Sequence, residues 1–272
     1  MLDEKSLKYN EPWILQRADP YVYRHTDGSY YFTASVPAYD GIVLRRAGSL
    51  ADLSGAKEVM IWKKHESGPM SYHIWAPEIH YLFGKWYIYF AGGEKEDIWK
   101  IRPYVLECSG DDPLTDEWVE LGKMKRAAED EFSFEAFSLD ATVFENKGEY
   151  YYVWAEKVGV GKMISNLYIA KMESGNQLKT VQVLLTTPDY DWERKGFWVN
   201  EGPAVIHHDG KLFLTYSASE TGVDYCVGML SIDEDADLLD PHLWKKERYP
   251  VLKTCEKLGI YGPGHNSFTV DE

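Results

Sequence analysis

The sequence predicts an all-β fold, a five-bladed β-propeller with four complete four-stranded blades and the first strand of a fifth. Three observations predict it. A hairpin signature occurs four times, it recurs at a period of about sixty residues, and each copy is followed by two further strand patterns. The hairpins are "DPYVYRHTDGSYYFTAS" from Asp19, "APEIHYLFGKWYIYFAG" from Ala76, "DATVFENKGEYYYVWAE" from Asp140 and "EGPAVIHHDGKLFLTYSAS" from Glu201. Each joins an apolar run to an aromatic run through a turn glycine: Gly28, Gly84, Gly148 and Gly210 in order. The third strands read "GIVLRRA", "PYVLECS", "NLYIAKM" and "DYCVGMLSI"; the fourth lie near "EVMIWKK", "EWVELGK", "VQVLLTT" and "ERYPVLKT". Three links before the fourth strand, "LADLSGAKEVMIW", "DDPLTDEW" and "LLDPHLW", share turn residues beside Leu and Trp, as internal duplication would leave them.

Helical periodicity is scarce. Only residues 124–139, "MKRAAEDEFSFEAFSL", offer room for a helical turn, and their repeated Phe suits a wall of the site better than a polar linker. A fifth unit begins at "GPGHNSFTVDE", where His265 stands about one period after Glu201. A blade cut at its first hairpin cannot bury its own faces and leaves an open edge. Residues 1–272 are therefore read as one propeller domain whose last blade is incomplete, a C-terminally truncated piece.

The 20 Tyr and 10 Trp among 272 residues suit both strands and the stacking walls of sugar sites. With 29 Lys and Arg against 44 Asp and Glu, the net charge of -15 argues against nucleic acid and for a neutral or cationic ligand. Cys108, Cys226 and Cys255 are odd in number and widely spaced, which suits neither a disulfide framework nor a zinc site; they read as buried thiols. The first 25 residues lack an apolar core of signal-peptide length, and no run of about 18 apolar residues occurs, so the expected location is the cytoplasm, with no membrane partner. The sequence says nothing of oligomeric state.

In a propeller the first strand of every blade lines a central channel, so residues that open the repeat converge. Those residues are Asp19, Ala76, Asp140, Glu201 and His265. One acid at a strand start is an ordinary turn or cap residue; three in the same place of a repeat point to chemistry. Glycosidic cleavage needs a carboxylic acid to protonate the leaving oxygen and a carboxylate to activate water or attack the sugar. A third carboxylate can hold the acid protonated by like-charge repulsion. Trp75 and Phe137, next to the opening positions, are candidates to cover the C–H face of a sugar, and His73 is a candidate contact. Glu78, two places past Ala76, reads as an outward-facing polar residue.

The motifs "RADPYVYRHTDGSYYFTAS", "SYHIWAPEIH", "FSLDATVF", "VNEGPAV" and "GPGHNSF" together resemble, in order and over nearly the whole chain, those of glycoside hydrolase family 43. The resemblance implies an inverting five-bladed enzyme in which Asp19 is the general base, Glu201 the general acid and Asp140 the residue that tunes and orients the acid. It implies no cofactor for the chemistry. It also implies that His265 helps hold a calcium ion or a water cluster in the channel, chiefly through water. The motif wording is most similar to exo-acting α-L-arabinofuranosidases, with β-xylosidases next, so the expected partner is an arabinose- or xylose-containing oligosaccharide. The family also supplies an Arg from its last blade to grip a sugar hydroxyl, a position beyond Glu272. Two other readings compete. A retaining sucrose-cleaving propeller would carry Asn-Asp-Pro where this chain has "RADP", and a non-catalytic sugar-binding propeller would need no aligned acids.

Overall fold

The computed structural model describes residues 12–160 and 162–271. The chain is all-β, and its sheets follow the repeat. The first sheet holds β1 (Ala18–Arg24), β2 (Tyr30–Ser35), β3 (Gly41–Ala47) and β4 (Val59–Lys63), paired in chain order. The second holds β5 (Tyr72–Leu82), β6 (Lys85–Glu94), β7 (Asp97–Cys108) and β8 (Val119–Lys123) in the same order. The third group is β9 (Ser138–Asn146), β10 (Glu149–Val160) and β11 (Lys162–Ser174), edged by β12 (Gln177–Leu178) and β13 (Val183–Thr186). The fourth is β14 (Trp198–His208), β15 (Lys211–Ala218), β16 (Cys226–Asp233) and β17 (Lys245–Lys246). Neighbours within a group run antiparallel; a short parallel pairing of Ile164 with Trp198 and Ser165 with Val199 joins the third group to the fourth.

Turn chemistry accounts for the hairpins. Phe83–Gly84, Lys147–Gly148 and Asp209–Gly210 are two-residue turns with positive φ at both positions, the type I′ geometry that matches strand twist. Side-chain alternation then stacks the sheets in sequence. On β6, Trp86, Ile88 and Phe90 pack with Tyr31, Ile42 and Leu44 of the first sheet, while Tyr87 and Tyr89 pack with Tyr152 and Trp154 of β10. On β10, Tyr151 and Val153 turn the other way, to Leu212, Leu214 and Tyr216 of β15. A strand buried on both faces needs large apolar side chains at odd and even positions alike, which explains the aromatic-rich second strands. Each such side chain contributes roughly 1.5–3 kcal/mol by burial.

Three expectations are corrected. No helix forms in 124–137. The loop is instead pinned by two buried carboxylates: Asp130 accepts from the amides of Phe132, Ser133 and Gln182, and Glu156 accepts from those of Phe134 and Ala136. The fourth strand expected at "ERYPVLKT" is only β17 plus an isolated bridge from Leu252 to Val227, because Pro250 has no N–H and interrupts the ladder. Residues 262–271 form no strand. Their hydrogen bonds run singly to the neighbouring sheets. The His265 amide donates to Ser217 Oγ on β15, Ser267 Oγ to the Pro20 carbonyl on β1, and Tyr30 OH on β2 to the Val270 carbonyl. The segment thus lies between the fourth sheet and the first. Cys108 and Cys226 are buried thiols as expected, and Cys255 is half-buried.

Candidate active site

The first strands of successive sheets touch one another, β1 with β5, β5 with β9 and β9 with β14. Each carries the same irregularity. The pairing register slips between Ala18 and Tyr21, between Trp75 and Glu78, between Leu139 and Thr142, and between Glu201 and Ala204. Within each slip one residue is left-handed: Asp19 (φ 52), Ala76 (φ 47), Asp140 (φ 52) and Gly202 (φ 53); His265 (φ 46) repeats it in the last segment. A bulge with a left-handed residue re-aims side chains at the point where the strands converge.

This register corrects one expectation. Glu201 does not occupy the position of Asp19 and Asp140; Gly202 does. Glu201 stands one residue earlier, with Ala18, Trp75 and Leu139, and all four line a cavity of about 500 Å³ together with Asp19, Asp140 and His265. The acids therefore form two tiers, with Asp19 and Asp140 in one and Glu201 in the other. The left-handed φ at 202 is one that Asp19, Ala76 and Asp140 also adopt, but here a Cβ would stand 3.2 Å from the His265 ring, a tight contact that glycine avoids.

Asp19 and Asp140 meet at His265. Its Nδ1 lies 3.2 Å from Asp19 Oδ1 and 3.7 Å from Asp140 Oδ2. Ser35 Oγ donates to Asp19 Oδ2 at 2.6 Å and accepts from the Ala76 amide, tying the first sheet to the second. The Gly202 amide donates to Asp140 Oδ2 at 3.2 Å, and Tyr225 OH donates to Glu201 Oε1 at 2.8 Å. Burial pushes Asp140 well above the usual carboxylate range; His265 opposes the rise, and Glu201 and Asp19 add to it. Burial also raises Glu201, against the Tyr225 hydrogen bond and the positive charge of His265. For His265 burial acts downward, but Asp19, Asp140 and Glu201 outweigh it and push the ring up to about 8. The centre thus holds more protons at neutral pH than its parts would in water.

Of the other anticipated contacts, Trp75 and Phe137 line the cavity. His73 does not. Its ring centre lies 4.2 Å from that of Trp75 and 5.2 Å from that of Trp99, tilted to both, it faces a separate cavity of about 140 Å³ with Tyr39 and Tyr72, and burial lowers its pKa. It backs the aromatic wall rather than forming it. Glu78 is not an outward polar residue: it is buried and bonded at 2.9 Å to His80 Nε2, whose ring contacts Tyr21. Among the described residues no three His, Cys, Asp or Glu side chains are grouped as a metal ion would need. His265 Nδ1 is engaged by carboxylates, so the residues present do not compose a direct calcium cage.

Sequence reasoning missed Ser35, Ser217, Tyr225, Lys157 and the rim aromatics Tyr39, Trp99 and Phe197. The two serines carried a signal, since Ser35 pairs with Ala18 in the first repeat as Ser217 pairs with Glu201 in the fourth. Tyr225, Lys157 and the rim residues have no counterpart in the repeat.

Comparison with known proteins agrees with this geometry. The description "Glycosyl hydrolases family 43" matches residues 9–272. A protein of Streptomyces chartreusis described as an extracellular exo-alpha-(1->5)-L-arabinofuranosidase is 48% identical over 97% of this chain and 79% of its own length. One of Streptomyces avermitilis with the same description is 50% identical over 98% of this chain and 54% of its own length. The chain thus spans about half the length of that relative, and likewise of alpha-L-arabinofuranosidase 43 from Humicola insolens, 45% identical over 98% of this chain. The crystal structure of an alpha-L-arabinofuranosidase from Lactobacillus brevis superposes with a TM-score of 0.88 at 52% identity, covering 96% of this chain and 82% of that one. The expected cytoplasmic location is overturned by the two Streptomyces relatives, which are extracellular; among the described residues no helix is long and apolar enough to cross a membrane. On its motifs, its sheets and its relatives, the chain belongs to glycosyl hydrolases family 43.

Proposed function

We propose that the chain is the catalytic domain of an inverting exo-α-L-arabinofuranosidase that releases terminal α-L-arabinofuranosyl residues from arabinose-containing oligosaccharides. The observation that carries this reading is the gathering of Asp19, Asp140 and Glu201 around one aromatic-walled cavity with His265 between two of them. The relatives described as arabinofuranosidases support arabinoside over xyloside as substrate. The four sheets are read as four blades of a five-bladed ring, with residues 262–271 in the place of a fifth blade's first strand.

Asp19 acts as general base. Ser35 and His265 hold its carboxylate in one orientation, so a water between it and the anomeric carbon loses a proton as it attacks. Glu201 acts as general acid, protonating the glycosidic oxygen; burial raises its pKa and so favours the protonated form that an acid needs. Asp140, buried beside both, tunes the acid by its charge and fixes the Gly202 backbone next to it. Trp75 and Phe137 cover the apolar faces of the sugar.

The test is product analysis. Purified protein should release arabinose from an aryl α-L-arabinofuranoside and from α-1,5-linked arabinobiose much faster than xylose from an aryl β-xyloside. Equal or reversed rates would move the assignment to a xylosidase.

A further inference from the structure

A half-buried lysine stands in the wall of the cavity with no role in the chemistry above. Lys157, on β10, lines the same space as Asp19, Asp140 and Glu201. Its amide donates to the Phe137 carbonyl at 2.9 Å, and its side chain doubles back so that Nζ lies 3.9 Å from the centre of the Phe137 ring. Among the described residues it enters no ion pair within hydrogen-bonding reach; Glu201 acts on it only through space, against a burial effect that lowers its pKa. Glu156, the residue before Lys157, accepts from the amides of Phe134 and Ala136 and from Trp154 Nε1, which fixes the loop that presents Phe137.

An ammonium has three donors and no acceptor, and an aromatic face satisfies its charge without using them as hydrogen bonds to oxygen. Donors held over a ring in a sugar-sized cavity are set to meet hydroxyl or ring oxygens. Glu201 must reach the glycosidic oxygen to protonate it, so the departing sugar lies on the Glu201 side, and Lys157 and Glu201 each feel the other's charge. We propose that Lys157 is a specificity-determining residue that hydrogen-bonds the sugar on the leaving-group side of the scissile bond, favouring saccharide over simple aryl leaving groups. The assignment rests on Glu201 being the general acid.

The experiment compares wild type, Lys157→Met and Lys157→Arg on α-1,5-arabinobiose and on 4-nitrophenyl α-L-arabinofuranoside. Loss of a hydrogen bond from a charged donor should lower kcat/KM for arabinobiose roughly 10- to 100-fold in Lys157→Met and the aryl glycoside less than about 3-fold, with Lys157→Arg between. Equal losses on both substrates would overturn the proposal, because a lysine acting only through Glu201 or through folding does not distinguish leaving groups. Calorimetric binding of arabinobiose to Glu201→Gln, with and without Lys157→Met, gives a second reading independent of turnover. At least about tenfold weaker binding is expected; unchanged affinity would overturn the proposal. Wild-type protein that binds arabinobiose in a Lys157-dependent way yet hydrolyses neither substrate would refute the enzymatic reading alone.

Discussion

Tyr225→Phe removes one oxygen from the site and leaves its shape, so it isolates what the hydroxyl does to Glu201. That hydroxyl donates to Glu201 Oε1 at 2.8 Å and stabilises the ionised carboxylate, opposing the rise that burial imposes. A hydrogen bond to a charged acceptor is worth about 1.5–3 kcal/mol. At about 1.4 kcal/mol per pH unit, its loss should carry the alkaline limb of the kcat/KM profile upward by about one to two pH units, since a general acid works only while protonated. Asp140→Asn should do the reverse. Asp140 and Glu201 are a coupled buried pair, so the second of the two protons leaves against the charge of the first carboxylate; with Asn at 140 that repulsion is gone and the alkaline limb moves down. The assay is initial rate against pH on a substrate with a poor leaving group, where protonation matters most. Displacements of opposite sign are the expected result. Movement of both limbs in the same direction, or of neither, would refute Glu201 as the titrating acid.

Two further outcomes follow from the same geometry. Glu201→Gln should damage hydrolysis of arabinobiose far more than that of an activated aryl arabinoside, whereas Asp19→Asn should damage both alike, each by about 10²–10⁴ where its proton transfer is needed; equal sensitivity of Glu201→Gln to both leaving groups would show that it is not the acid. His265 is raised to about 8 in the folded protein against 6.5 as the ordinary value, so its contribution to stability, about 2 kcal/mol, is complete below about pH 6.5 and lost as pH rises through about 8. Asp140 and Glu201 are also raised and act with the same sign. Urea unfolding at pH 6 and pH 9 should therefore show a larger loss of stability in wild type than in His265→Gln, and equal losses would contradict the account.

Much of the fold was legible because a repeat states its own period. Turn glycines, alternating aromatic strands and third strands all fall where the repeat placed them, since hairpin pairing depends on local turn chemistry and on a period of two. The failures lie where tertiary context decides. Pro250 breaks the last edge strand, although the flanking residues still bond to β16. The 124–137 loop is shaped by Asp130 and Glu156, whose hydrogen bonds to backbone amides leave no trace in periodicity. In the site, Asp19, Asp140 and His265 were readable from the repeat. Glu201 was found too, but the bulge that sets it one residue ahead of the others was not. Glu78 was misread because its buried partner His80 cannot be told from spacing, and His73 because a histidine two places before Trp75 in sequence proves to support that ring from behind. Tyr225 and Lys157 come from a loop and from the far end of β10, where only folding brings them to the acid.

The most direct test of the central claim is the configuration of the first product. Proton NMR during early turnover of an α-L-arabinofuranoside, before mutarotation, should show the β anomer of arabinose, as the proposed roles of Asp19 as base and Glu201 as acid on opposite faces of the sugar demand. Appearance of the α anomer first would mean retention, a covalent intermediate, and a different division of labour among Asp19, Asp140 and Glu201.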